Sequence, residues 1–127
     1  HVRSRRQRQM CIRDSNSTER AASDYLKPAA LADWMKSQSA APTAVLMDED
    51  GMIGQAYGAR TTPHIFIIDP KGTLVYAGGI DSIASARVDD IKTAVNYVNQ
   101  ALGEAFGNKP ITAASTRPYG CSIKYKT

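Results

Sequence analysis

The chain has 127 residues, 43% hydrophobic and 22% charged, which is enough for one small domain and not for two. No apolar run approaches the roughly 18 residues that a membrane-crossing helix needs, and the basic start is not followed by the apolar stretch of a secretory signal. The net charge of +4 is confined to residues 1–15, which hold five of the 16 basic and one of the 12 acidic residues, so the remainder is neutral. A neutral remainder has no electrostatic excess for a phosphate backbone, which argues against nucleic acid as a partner of the domain itself.

The leader reads HVRSRRQRQMCIRDS. Three readings fit it: a basic arm for nucleic acid, a disordered tail, or foreign sequence. The string RQRQMCIRDS resembles translated sequencing-adapter read-through, and nothing after it continues its character. It is therefore set aside as a non-native leader. That leaves residues 16–110 as the domain and 111–127 as a C-terminal tail. It also leaves Cys121 as the one native cysteine, since Cys11 falls in the leader. A single cysteine makes no intrachain disulfide, and no C-x-x-C spacing suggests a metal site.

In YLKPAALADWMKSQSA, Leu31, Trp34 and Met35 recur at helical spacing and Pro28 suits a first turn, predicting a helix over about 28–38. Ala44–Met47 reads as a short strand, and Asp48-Glu49-Asp50-Gly51 as a turn rather than a carboxylate site. Met52–Tyr57 reads as a short helix stopped by Gly58. Ile65–Ile68 is apolar, β-branched and aromatic, and predicts a buried strand. Asp69-Pro70-Lys71-Gly72 is a tight turn, with Leu74–Ala77 returning as the second strand of a hairpin. Val88, Ile91, Val95, Val98 and Leu102 step by three and four, predicting one amphipathic helix with Asp89 and Asp90 in its first turn.

The order of these elements, with AYGARTTPHIFIIDPKGTLVYAGGID, resembles the thioredoxin-like superfamily. Its redoxin branch, the alkyl hydroperoxide reductase and thiol-specific antioxidant group, is the most similar. The resemblance runs from about Asn16 to Thr127 and implies an α/β fold that is incomplete here. The C-terminal hairpin and helices are present; the N-terminal βαβ segment is not. In that family the proline matching Pro63 is cis and stands beside the reactive cysteine. Such a bond turns the chain and leaves the backbone of Thr62 facing outward, where an extended peptide could pair with it. Thr62 and Pro63 are thus the candidate substrate-binding residues. His64 and Arg60 are candidates to tune a thiolate, each with a plain structural alternative.

No cysteine lies between Ser15 and Gly120. No nucleophilic residue is therefore carried over from the resemblance, and the reactive cysteine is expected upstream of Asn16. Cys121, in RPYGCSIKY, is a candidate resolving thiol or a packing residue. The missing strands would leave open edges, so the chain made alone is expected to fold poorly, which a single sharp cooperative melt would refute. The resemblance implies a thiol-dependent peroxidase or thiol–disulfide oxidoreductase in the intact protein. It implies no metal or organic cofactor, only an external thiol reductant and a peroxide or disulfide substrate. The alternative function is a non-catalytic peptide-binding module. Relatives of this type are often exported, and no residue decides between periplasm and cytoplasm, nor fixes an oligomeric state.

Overall fold

The computed structural model describes residues 12–23, 25–40 and 42–126. Cys11 and the arginine-rich start lie outside the described residues. The elements in chain order are β1 (Arg13–Asn16), α1 (Pro28–Ser37), β2 (Ala44–Met47), α2 (Met52–Tyr57), β3 (Thr61–Thr62), β4 (Ile65–Ile68) and β5 (Leu74–Gly78). A 3-10 turn (Val88–Lys92), α3 (Tyr97–Phe106) and β6 (Cys121–Ser122) complete them. The fold is mixed α/β, and its strands form three two-stranded ladders with no closed barrel. The chain divides into two units, one made of residues up to Ala59 with Ile123 onward, the other of Arg60–Ser122.

In the first unit, β1 pairs in parallel with β2, Arg13 opposite Ala44 and Asn16 opposite Met47. The boundary drawn after Ser15 therefore falls inside a strand. Arg-Asp-Ser-Asn is a poor strand sequence, and its side chains are mostly exposed. It is held in the extended form by the backbone groups of β2, not by its own preference. Helix α1 starts on Pro28, whose missing N–H costs nothing in a first turn. It buries Leu31 and Met35, while Trp34, expected on the same face, is 55% exposed.

The Asp48–Gly51 turn is present, closed by the Gly51 amide donating to the Asp48 carbonyl at 2.9 Å. Gly51 adopts φ +72 at the cap of α2, a left-handed conformation that glycine takes without a Cβ penalty. Asp48 is buried, and its carboxylate accepts from the first-turn amides of Ile53 at 3.1 Å and Gly54 at 2.8 Å and from the Ser17 hydroxyl at 2.6 Å. Burial pushes the Asp48 carboxyl up. The hydrogen bonds from Ser17 and from the amides of Gly54, Ile53 and Met52 outweigh it and hold the group below its ordinary value. The Tyr125 ring covers the glycine face of α2: a Cβ at Gly54 would stand 2.6 Å from the Tyr125 hydroxyl and 2.7 Å from Ser17 Oγ. The Tyr125 hydroxyl donates to the Ala59 carbonyl. On the surface, Tyr25 and Arg20 both donate to Glu49 and lower its pKa, Tyr25 most.

In the second unit, β4 and β5 form the predicted hairpin, Ile65 opposite Gly78 and Ile68 opposite Leu74. Its turn is closed by the Gly72 amide on the Asp69 carbonyl, with the Asp69 carboxylate accepting from Lys71 and Thr73. The strand Ile65–Ile68 is not buried as expected: its first three residues are half-buried and Ile68 is 47% exposed. Among the described strands β4 pairs with β5 alone, so nothing in this unit extends the sheet past it. Tyr76 is the largest fully buried side chain here, with Ala101 of α3 also buried. The Tyr76 hydroxyl donates to the Gly79 carbonyl and shares a hydrogen bond with Thr116 Oγ1 at 2.6 Å.

The amphipathic helix expected from Val88 to Leu102 is corrected. The chain makes a short 3-10 turn, breaks over Thr93–Asn96, and restarts as α3. Two local competitors win over the helical pattern. Asn96 is an N-cap, its side chain accepting from the Asn99 amide at 2.9 Å. The backbone around it pairs with the loop after β5, the Ser82 amide donating to Val95 and the Tyr97 amide to Ile80. Val88 and Ile91 are left 76% and 67% exposed.

Residues 111–122, the first part of the segment read as a C-terminal tail, are hydrogen-bonded to the second unit. The Ala77 amide donates to the Ala114 carbonyl at 3.0 Å, and the Thr116 amide donates to the Ala77 carbonyl at 3.1 Å. One residue's N–H and C=O point to the same side of a strand, so this segment runs along β5 on the edge away from β4. Thr116 Oγ1 also accepts from the Gly79 amide, and Tyr119 donates to the Asp81 carboxylate at 2.6 Å. No described helix is long and apolar enough to cross a membrane.

Candidate functional site

The site is built around Arg60–Phe66 in the second unit. The Thr62–Pro63 peptide bond is cis, the isomer that the resemblance implies. Thr61 Oγ1 donates to the Pro63 carbonyl at 3.1 Å, bracing the bend from inside. The hairpin begins two residues later at Ile65, so the bend is carried on a regular element.

The edge expected to stand open at Thr62 is occupied. Strand β6 lies antiparallel to β3, Thr61 opposite Ser122 and Thr62 opposite Cys121. The approach is close enough to need a glycine. Gly120 adopts φ +137, and a Cβ there would stand 2.1 Å from the Thr62 carbonyl oxygen and 3.4 Å from Pro63 Cδ. Two residues cannot show a two-residue period, so nothing in the sequence marked Cys121–Ser122 as a strand. The signal that was available is Gly120, directly before the cysteine.

This pairing brings together two candidates that lie 59 positions apart in the chain. Cys121 is exposed, and it stands in the register position facing Thr62, beside Pro63. The site therefore combines an accessible thiol with the bend that the resemblance associates with thiol chemistry.

His64 is turned to a local task. Its Nδ1 accepts from the Arg60 amide at 3.3 Å, and its ring stacks on Phe66 with centroids 4.5 Å apart. Burial, and then the charge of Arg60, lower its pKa, so the ring is neutral at pH 7 with its proton on Nε2. A neutral imidazole offers a hydrogen bond to a thiolate but no positive charge. Arg60 is exposed and supplies the nearby cation.

A second feature of this unit is an open polar cleft of about 930 Å³, lined among others by Asp81, Tyr97, Arg117 and Tyr119. Its one carboxylate is already engaged by Tyr119. Among the described residues no group of three or more His, Cys, Asp or Glu side chains is placed to hold a metal ion.

No family model matches the chain, and no curated protein matches it either. Solved structures do. A hypothetical protein from Sinorhizobium meliloti superposes with a TM-score of 0.77 at 23% identity over 92% of this chain. An uncharacterized conserved protein from Geobacillus kaustophilus gives 0.77 at 22% over 98%. This chain spans 62% and 66% of the lengths of those two proteins. At such identities the likeness shows a shared mixed α/β fold.

Proposed function

We propose that this chain is the C-terminal part of a redoxin-type thiol oxidoreductase of thioredoxin-like fold, whose reactive cysteine lies N-terminal to Asn16. The observation that carries the reading is the register of β3 against β6, with Cys121 facing Thr62 next to the cis Pro63. An exposed cysteine on a two-residue strand has little to pack, so its position is better explained by reactivity than by core filling.

In this reading the upstream thiolate attacks the peroxide O–O bond, giving a sulfenic acid and releasing the alcohol or water. The Cys121 thiolate then attacks the sulfenic sulfur. An S–S bond forms, the S–O bond breaks, and hydroxide leaves to be protonated to water. An external dithiol returns both cysteines to thiols and is itself oxidised to a disulfide. Thr62 and Pro63 shape the wall of the site. His64, neutral, can donate from Nε2 to an oxygen there.

The test is peroxide-dependent oxidation of a dithiol by the longer gene product. Activity should vanish when the upstream cysteine is replaced, and Cys121→Ser should leave a sulfenic acid that a dimedone-type reagent traps. An upstream sequence with no cysteine would sink the reading. The chain itself should show no turnover.

A second reading, a non-catalytic peptide-binding module, is favoured by one observation: the Thr62 edge does accept an extended strand. It predicts peptide binding that does not change when cysteines are replaced.

A further inference from the structure

We infer that Gly120–Ser122 is a built-in strand that keeps the Thr61–Thr62 edge closed, so that any extended peptide must displace it before pairing there. The inference deepens the reading above and rests on it for the purpose of the edge, but not for the closure itself. The edge has an occupant: β6 pairs antiparallel with β3, and the Gly120 backbone sits against the Thr62 carbonyl. The closure is thin. It is two residues long, and Thr62, Cys121 and Ser122 are all exposed. Little apolar burial holds it, so it is a strand that competition can remove.

The closure is also well supplied. The segment before it is fixed within the same unit by the Thr116 amide on Ala77, by Thr116 Oγ1 on Tyr76 and Gly79, and by Tyr119 on Asp81. Those bonds hold Gly120 next to Thr62 at an effective concentration on the order of millimolar, which a free peptide must exceed. Removing the closure while keeping the anchors therefore opens the edge selectively. Gly120 is the place to do it. Any side chain there meets the Thr62 carbonyl, and φ +137 is unfavourable for a residue with a Cβ.

The experiment uses the longer gene product and its Gly120→Val and Gly120→Ala variants, checked for unchanged far-UV circular dichroism. If Gly120→Val does not fold, Gly120→Ala decides, since both carry the Cβ. The probe is a labelled, acetylated peptide with the chain's own sequence from Pro118 to Lys124, carrying Cys121→Ser so that no disulfide can form. Amide exchange in β3 and β6 is followed in parallel. We expect exchange in both strands to rise at least tenfold in the variants, and the peptide to bind them at least tenfold more tightly than the parent chain. Equal peptide binding by parent and variants would overturn the inference, as would an opened edge that binds no peptide. Failure of the redoxin reading is read elsewhere, in the dithiol assay of the longer protein. It leaves the exchange and peptide results untouched.

Discussion

The acidic turn at Asp48 and the short ladder at Thr62 put their polar groups to opposite uses. Asp48-Glu49-Asp50 gathers three carboxylates, yet it is the turn that its Gly51 predicts, and the Asp48 carboxylate is spent on the first-turn amides of α2 and on Ser17. The carboxylate is buried and saturated by Ser17, Ile53 and Gly54. Thr61–Thr62 against Cys121–Ser122 has the look of a structural scrap, two residues on two, but it gathers the accessible thiol and the cis bond at one place. The difference teaches where chemistry can be stored. A buried group with all its hydrogen bonds made is committed to stability, and an exposed, thinly held edge is free to react or to exchange partners.

Replacing Asp48 by alanine should break the first side of this contrast most strongly. It leaves the amides of Ile53 and Gly54 and the Ser17 hydroxyl without an acceptor in a buried place, which costs about 2–3 kcal/mol. Native-state amide exchange at Ile53 and Gly54 reads the loss directly. A change below about 0.5 kcal/mol would show that the turn holds without its carboxylate. Gly54→Ala tests the same region from the other face. Its new methyl group meets the Tyr125 hydroxyl and Ser17 Oγ, so the Tyr125 ring must leave or α2 must shift, at about 1–3 kcal/mol.

Acid sharpens the contrast without mutation. Folding depresses the carboxyl groups of Asp48 and Glu49 below their ordinary values of 3.8 and 4.5. The unfolded chain therefore takes up protons first as the pH falls. The stability contributed by both groups is complete above about pH 5 and is lost progressively below pH 4. Circular dichroism between pH 7 and pH 2 should show the first unit failing in that lower window, and Asp48→Ala should flatten the profile. The Tyr76 hydroxyl supports the second unit in the same committed way. Tyr76→Phe strands the Gly79 carbonyl and should cost about 1–1.5 kcal/mol, seen as faster exchange along β5.

How much of this was legible from the sequence follows the range of the interactions. The Asp69–Gly72 turn, the hairpin, α1, β2 and α2 were readable because their signals are local: proline and glycine at fixed places, or a run of one period. The break at Thr93–Asn96 was not, because the stepped apolar residues Val88 to Leu102 gave a sound helical pattern. The competitor was a pairing with residues 80–82 on another loop. Strand β1 was missed for a similar reason, since Arg13–Asn16 is extended only through its partner. At the site, Thr62, Pro63 and Cys121 were each visible as single residues. Their meeting was not, since it depends on Thr116 and Tyr119 steering the chain back along β5 and the loop after it.

The smallest expected effect bears on the largest claim. Cys121→Ser changes one atom of an exposed side chain in a two-residue strand, and the backbone that pairs with Thr62 is untouched. Stability should move by no more than about 0.5 kcal/mol, well under the loss from Asp48→Ala, as denaturant midpoints of the two variants measured together would show. On the redoxin reading proposed above, the same substitution in the longer protein should remove the disulfide step. A residue that weighs little in stability and decides the reaction is what an accessible resolving thiol must be. If Cys121→Ser instead destabilised the chain as much as Asp48→Ala does, the cysteine would be a packing residue. The Thr62 edge would then belong with the Asp48 turn, as structure.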